Sequence, residues 1–204
     1  MALLNAKGKE LKIRWPEEPL VVIYCHPKRA GGVPFFLDHW DKDAILAMIT
    51  AKIGRTKKVN IYTLDPFVYD WGQSANIVMD GFSNEFIGSH QSAFDMLVLP
   101  DCGGPWGKAA MAGETNTLIE IIERFLTMIK PGGYLCLQKF MDVATNDIKT
   151  HFQKNGVNVE EFPSFAPDGP YLVLTRPAGK TGGRRRKTAR RRVKRSKTNR
   201  KHRG

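Results

Sequence analysis

Apolar residues along this chain alternate between two rhythms. "PLVVIYCHP", Pro19 to Pro27, is an unbroken apolar run of the kind expected for a strand buried on both faces. After a loop rich in glycine and proline, "KRAGGVPFFLDHW", comes "DKDAILAMITAKIG". There Ile45, Leu46, Ile49 and Ile53 recur at helix-face spacing up to a stop at Gly54. "KKVNIYTLDP" predicts a second short strand and "AFDMLVLPD" a third, again apolar throughout. Between these two, the stretch from Phe67 to Gln91 shows no clear period, and "ANIVMDGF" fits either a strand or a bent segment.

"CGGPWGKAAMAGE" then reads as a turn. Thr117 with Glu120 predicts a capping box, opening a helix whose apolar face is Leu118, Ile121, Ile122, Phe125 and Ile129. Lys130 is expected at the negative end of that helix, Pro131 as its stop, and Gly132–Gly133 as the turn into a buried strand, "YLCLQKF". A further helix, "DVATNDIKTHFQKNG", closes on Gly156, and the strands "VNVEEF" and "GPYLVLTRP" complete the body. Strands and helices in alternation predict an α/β fold, a doubly wound and mostly parallel sheet. The link "PSFAPD" is far shorter than the roughly dozen residues a parallel crossover needs, so the last two strands are predicted to form an antiparallel hairpin.

Charge divides the chain. Of its 204 residues, Lys180 to Gly204 contain 14 Lys and Arg and no acid, which leaves 18 basic residues against 20 acidic ones in residues 1–179. Three parts follow: an N-terminal extension, 1–18; a nearly neutral body, 19–177; and a basic tail, 178–204. Such a block of like charge repels itself and lacks apolar surface to bury, so it is expected to be disordered when free. Its natural partner is a polyphosphate. Arg184, Arg185, Arg186 and Lys187, followed by Arg190, Arg191, Arg192, Lys194 and Arg195, are the candidate nucleic-acid contacts, giving salt-sensitive and largely sequence-blind binding. A localisation signal is the alternative reading of the same run. Membrane insertion is not expected, because Val193 is the tail's one sizeable apolar side chain.

Cys25, Cys102 and Cys136 are too few for a disulfide framework, and no two sit at metal-ligand spacing. With neither a signal-like apolar core in "MALLNAKGKELKIRW" nor a run of 18 apolar residues, the expectation is an intracellular protein without a resident metal.

The hairpin ending, together with "FLTMIKPGGYLCLQKF" and "FDMLVLPD" over about Phe94 to Pro177, resembles class I S-adenosylmethionine-dependent methyltransferases. The resemblance implies a Rossmann-like sheet with S-adenosylmethionine at the carboxyl ends of the strands. Asp65, directly after "VNIYTL", takes the place of the acid that holds the cofactor ribose. Asp101, in "LPDCGGPW", takes the fourth-strand position beside the transferred methyl. The family's glycine-rich turn after the first strand has Gly31 and Gly32 as its counterpart, but they lie several residues beyond the strand end, and bulky Tyr24, His26, Lys28 and Arg29 occupy the place where backbone must approach the ligand closely. In the RNA ribose methyltransferases of the superfamily a lysine follows the glycine pair; here Gln138 occupies its position and Lys139 is the next residue, so Lys139 is the catalytic candidate and a strand-end solvent residue is its alternative. Pro105–Trp106 partly resembles the Pro-aromatic pair that stacks on a flipped base, with a packed loop as the other reading. The tail's opening, "GGRRRKT", resembles basic tails of large DNA virus proteins, which would place the chain in a virion or in a host nucleus or cytoplasm. Two functions stay open: a methyltransferase brought to nucleic acid by its tail, and a non-catalytic nucleic-acid-binding, packaging or virion protein on the same fold.

Overall fold

In the computed structural model, residues 9–10, 17–24, 42–54, 58–64, 77, 79–100, 104–138, 142–163 and 171–178 are described, with backbone alone at 42–44, 104 and 142–144. Their elements run β1 (Leu20–Tyr24), α1 (Lys42–Ile53), β2 (Asn60–Leu64), α2 (Asn84–Ser89), β3 (Phe94–Leu99) and α3 (Gly104–Ala112). They continue through α4 (Thr115–Met128), β4 (Ile129–Gln138), α5 (Asp142–Lys154), β5 (Asn158–Phe162) and β6 (Tyr171–Thr175).

Among the described residues six strands form one sheet in the order β2-β1-β3-β4-β6-β5. β1 through β4 are mutually parallel, whereas β6 lies antiparallel between β4 and β5. This is the predicted α/β sheet with its backward hairpin, and it is the arrangement that the methyltransferase resemblance implies. Beyond β2, Leu64 makes one isolated parallel bridge to Ile77. All five residues of β1 are buried, as a strand covered on both faces requires. Val21 and Ile23 pack with Ile45, Met48 and Ile49 of α1. On the other face, Val22 and Tyr24 join the larger cluster with α2, α3, α4 and α5. α1 ends as expected: Gly54 has φ +108° and its N–H reaches the Thr50 carbonyl. Leu46, read as part of the buried face, is instead exposed, and Met48 takes its place.

Several local readings change or are completed. The stretch read as a turn at "CGGPWGKAAMAGE" contains helix α3; Pro105 sits in its first turn, where a missing N–H costs nothing. Part of the unreadable stretch is the short helix α2, opened by Ser83, whose Oγ accepts from the Phe86 N–H. α4 starts at Thr115 with Glu114 as its N-cap, so Thr117 lies inside the helix and bonds Glu114 Oε2 at 3.1 Å rather than boxing with Glu120.

The far end of α4 also differs. It stops at Met128, and Ile129 is already extended and paired with Phe94. A helical Pro131 would press its ring against the Thr127 carbonyl. That carbonyl instead accepts from Ser92 N, and the Met128 carbonyl from Ala93 N. Lys130 is therefore not a helix-end charge; its Nζ pairs with Asp95 Oδ2 at 2.6 Å. The glycine turn survives as an irregularity inside β4, where Lys130 to Gly133 face Asp95 alone. Gly133 is required there, because a Cβ would stand 2.6 Å from the Asp95 carbonyl oxygen.

Candidate functional site

From β1 the chain steps to β2 on one side and then crosses to β3 on the other, so the topological switch point lies between β1 and β3. Open α/β sheets hold ligands in the crevice outside the carboxyl ends of the strands at that point. β1, β2, β3 and β4 all end on this edge, at Tyr24, Leu64, Leu99 and Gln138. The sequence thus reaches the edge immediately before Asp65, two residues before Asp101, and immediately before Lys139. Asp65, Asp101, Lys139, Gly31 and Gly32 themselves lie outside the described residues, as do His26, Lys28, Arg29 and the tail from residue 179 on, with its nine candidate cations.

The described walls of this edge are specific. Tyr24 is 1% exposed and packs edge-on to Phe82 and tilted against Phe125, with ring centroids 5.6 and 5.3 Å away. Its hydroxyl donates to the Gly81 carbonyl at 2.8 Å, and burial holds its pKa well above the ordinary tyrosine value. The sequence placed Tyr24 where backbone must approach a ligand. The ring is instead turned into the helical-side core, where it anchors the Asp80–Ser83 turn, because successive side chains of β1 alternate across the sheet. Gly81 has no room for more: an added Cβ would lie 2.3 Å from the Tyr24 ring and 2.7 Å from Leu64 Cδ2.

Trp106, offered by the sequence as a stacking platform or a packed residue, is packed: it is 3% exposed and belongs to the larger core cluster with Ala109 and Ala110. Its indole Nε1–H is buried with no hydrogen-bond partner among the described residues. Gln138, at the family's lysine position, is 2% exposed and shares the α1 side of β4 with Cys136. Cys136 behaves as a small hydrophobe, its thiol pushed up by complete burial. A small cavity of about 40 Å³ opens beside the same edge between Phe82, Pro105, Ile121 and Arg124. The Arg124 guanidinium is engaged there, donating to the Phe82 carbonyl and Asn84 Oδ1.

One described feature bears on the implied cofactor and is compatible with it: the Tyr24 ring at the end of β1 is turned into the core rather than out over the carboxyl edge. Among the described residues no group of three or more His, Cys, Asp or Glu could hold a metal, and no helix is long and apolar enough to cross a membrane. Gly81, the α2 cap at Ser83 and the Trp106 donor were not read from the sequence as parts of this edge. "DGFS" between two apolar runs was the available signal for the first two.

No protein-family model matches the chain, and no curated protein sequence matches it. Among solved structures, the aminoglycoside-resistance methyltransferase NpmB1 is 10% identical, with a TM-score of 0.47, covering 86% of this chain and 98% of its own. The antibiotic-resistance methyltransferase Kmr is 11% identical with a TM-score of 0.46, over 88% of this chain and all of its own. A ribosomal RNA methyltransferase, putative in its own description, from Plasmodium falciparum is 16% identical with a TM-score of 0.45, over 80% of this chain and 88% of its own. At identities and TM-scores this low, none of them bears on the chemistry or substrate of this chain.

Proposed function

We propose that this chain is an S-adenosylmethionine-dependent methyltransferase-like protein that acts on or near nucleic acid, to which its basic tail tethers it. One observation carries the reading: a parallel β2-β1-β3-β4 sheet with its switch point between β1 and β3, closed by an antiparallel β6 between β4 and β5. That topology creates a ligand crevice at the carboxyl ends of the strands without reference to any motif.

The roles follow from position. The Asp65 carboxylate, next after β2, would accept hydrogen bonds from the cofactor's ribose hydroxyls, and Gly31 and Gly32 would hold the cofactor through their backbone. Asp101, two residues beyond β3, would stand beside the transferred methyl, while Lys139 would orient and polarise the acceptor. When bound, the cofactor supplies an electrophilic methyl group. Trp106 contributes a buried donor rather than a stacking face.

Lys28 and Arg29 favour a second reading. They place two cations where the family has glycine, next to the site of a sulfonium cation, and so suit the same fold as a non-catalytic nucleic-acid-binding, packaging or virion component. Thermal unfolding of the full chain separates the two. A ligand that binds the folded state alone stabilises it by about 2.7 kcal/mol at a hundredfold excess over Kd. S-adenosylmethionine or S-adenosylhomocysteine is expected to raise Tm, and Asp65→Ala to abolish the rise. No shift at millimolar ligand discards the enzyme in favour of the binding protein.

A further inference from the structure

The root of the tail lies at the opposite edge from the crevice. β6 runs from Tyr171, opposite Gln138, to Thr175, opposite Tyr134, so the chain leaves the sheet where β4 begins. Arg176 is clamped there. Its N–H donates to the Gly133 carbonyl at 3.0 Å and its carbonyl accepts from Gly132 N at 2.9 Å. Its guanidinium donates to the carbonyls of Thr127 and Ile129. Pro177 and Ala178 follow, both exposed, and the first tail cation is Lys180.

The Gly132–Gly133 segment that holds Arg176 also lines a cavity of about 250 Å³, together with Lys52, Asp95, Lys130 and Tyr134. Lys130 gives one of its three N–H donors to Asp95 and is 44% exposed, which leaves donors directed to solvent. Lys52 is paired with Glu160 and stands 5.9 Å from the centroid of the Tyr134 ring. The paired acids weaken the field of both lysines, so the cavity by itself is a poor anion trap. A chain of phosphates already gathered a few residues away changes that, because a second contact then forms at high effective concentration. One phosphodiester on Lys130, with its sugar or base against Tyr134, matches the chemistry and the small volume.

We propose that this amino-edge cavity is the landing site on the folded body for the phosphodiester backbone of the nucleic acid held by the tail. The inference rests on the nucleic-acid part of the proposed function and not on methyl transfer. It places the first body contact one strand length, about 17–20 Å, from the crevice, so the tail works as a tether rather than as a wall of the crevice.

The test is fluorescence anisotropy of a labelled single-stranded oligonucleotide with the full chain, titrated between about 50 and 200 mM salt. Lys130→Gln is expected to lower the salt slope by about 0.7, the share of one phosphate on a single strand. Lys130→Arg, which keeps the charge, holds the slope. Lys108→Gln, an exposed position on α3, which follows the carboxyl end of β3, leaves it unchanged. A slope unmoved by Lys130→Gln, or one that falls with Lys108→Gln instead, overturns the landing site and leaves the tail reading standing. A full chain that holds no oligonucleotide at low salt overturns both.

Discussion

Gly81→Ala tests the carboxyl edge without touching any candidate catalytic residue. The glycine is held to its size by contact rather than by backbone conformation, since the new Cβ would lie 2.3 and 2.6 Å from two atoms of the Tyr24 ring and 2.7 Å from Leu64 Cδ2. Neither neighbour can yield cheaply. Tyr24 is wedged between Phe82 and Phe125 and tied by its hydroxyl to the carbonyl of Gly81 itself, and Leu64 is 1% exposed. Overpacking of this kind costs about 1–3 kcal/mol. Displacing the turn also breaks the Tyr24 hydrogen bond, adding about 1 kcal/mol. A loss of about 2–4 kcal/mol is therefore expected, measured as a fall in the urea midpoint with unchanged m-value, or as a drop in Tm of about 4–16 °C. A double-mutant cycle isolates the cause: on a Tyr24→Leu background, which removes the ring atoms in closest contact, Gly81→Ala should cost less than about 1 kcal/mol. A single-mutant cost below about 0.5 kcal/mol, or equal costs on both backgrounds, would show that the turn does not rest on the ring.

Two further outcomes are expected. Arg176→Ala removes guanidinium bonds to the Thr127 and Ile129 carbonyls and to Ser92 Oγ, and should cost about 1–3 kcal/mol in denaturant unfolding, with Arg176→Lys recovering part of it; a cost within about 0.5 kcal/mol would mean the clamp is solvent-equivalent. His90 is buried between Phe86 and Phe94, with Nδ1 donating to the Phe86 carbonyl at 2.7 Å and Nε2 buried without a partner among the described residues, so protonation would put a charge and an unmatched N–H in the core. Burial lowers its pKa from the ordinary value near 6.5, so the unfolded chain binds more protons below that pH. Stability from this group is complete above about pH 6.5 and falls as pH drops below it. His90→Phe should flatten that part of the stability-pH curve, and an unchanged curve would refute the assignment.

The expected effect of a ligand depends on Asp65, Asp101 and Lys139, which the methyltransferase resemblance implies and which directly follow or lie two residues beyond the apolar runs that form β2, β3 and β4. Their mutual distances were not legible from spacing, since each run indicates burial but not its neighbours. The reading of Tyr24 went astray for the same reason. Its bulk was visible in the sequence, but the direction of its ring depends on the strand face and on Phe125, a hundred residues away.

Local sequence was enough to set the parallel sheet, the antiparallel ending and the split between a neutral body and a cationic tail, because each is written in the burial demanded of a continuous apolar run, in connection length or in local charge. Tertiary structure alone decided where α4 gives way to β4, that Lys130 pairs with Asp95 rather than with a helix end, and that the tail is rooted at the edge opposite the crevice. These outcomes depend on hydrogen bonds and charge pairs between residues tens of positions apart, and such pairs leave no period in the sequence for a reader to find.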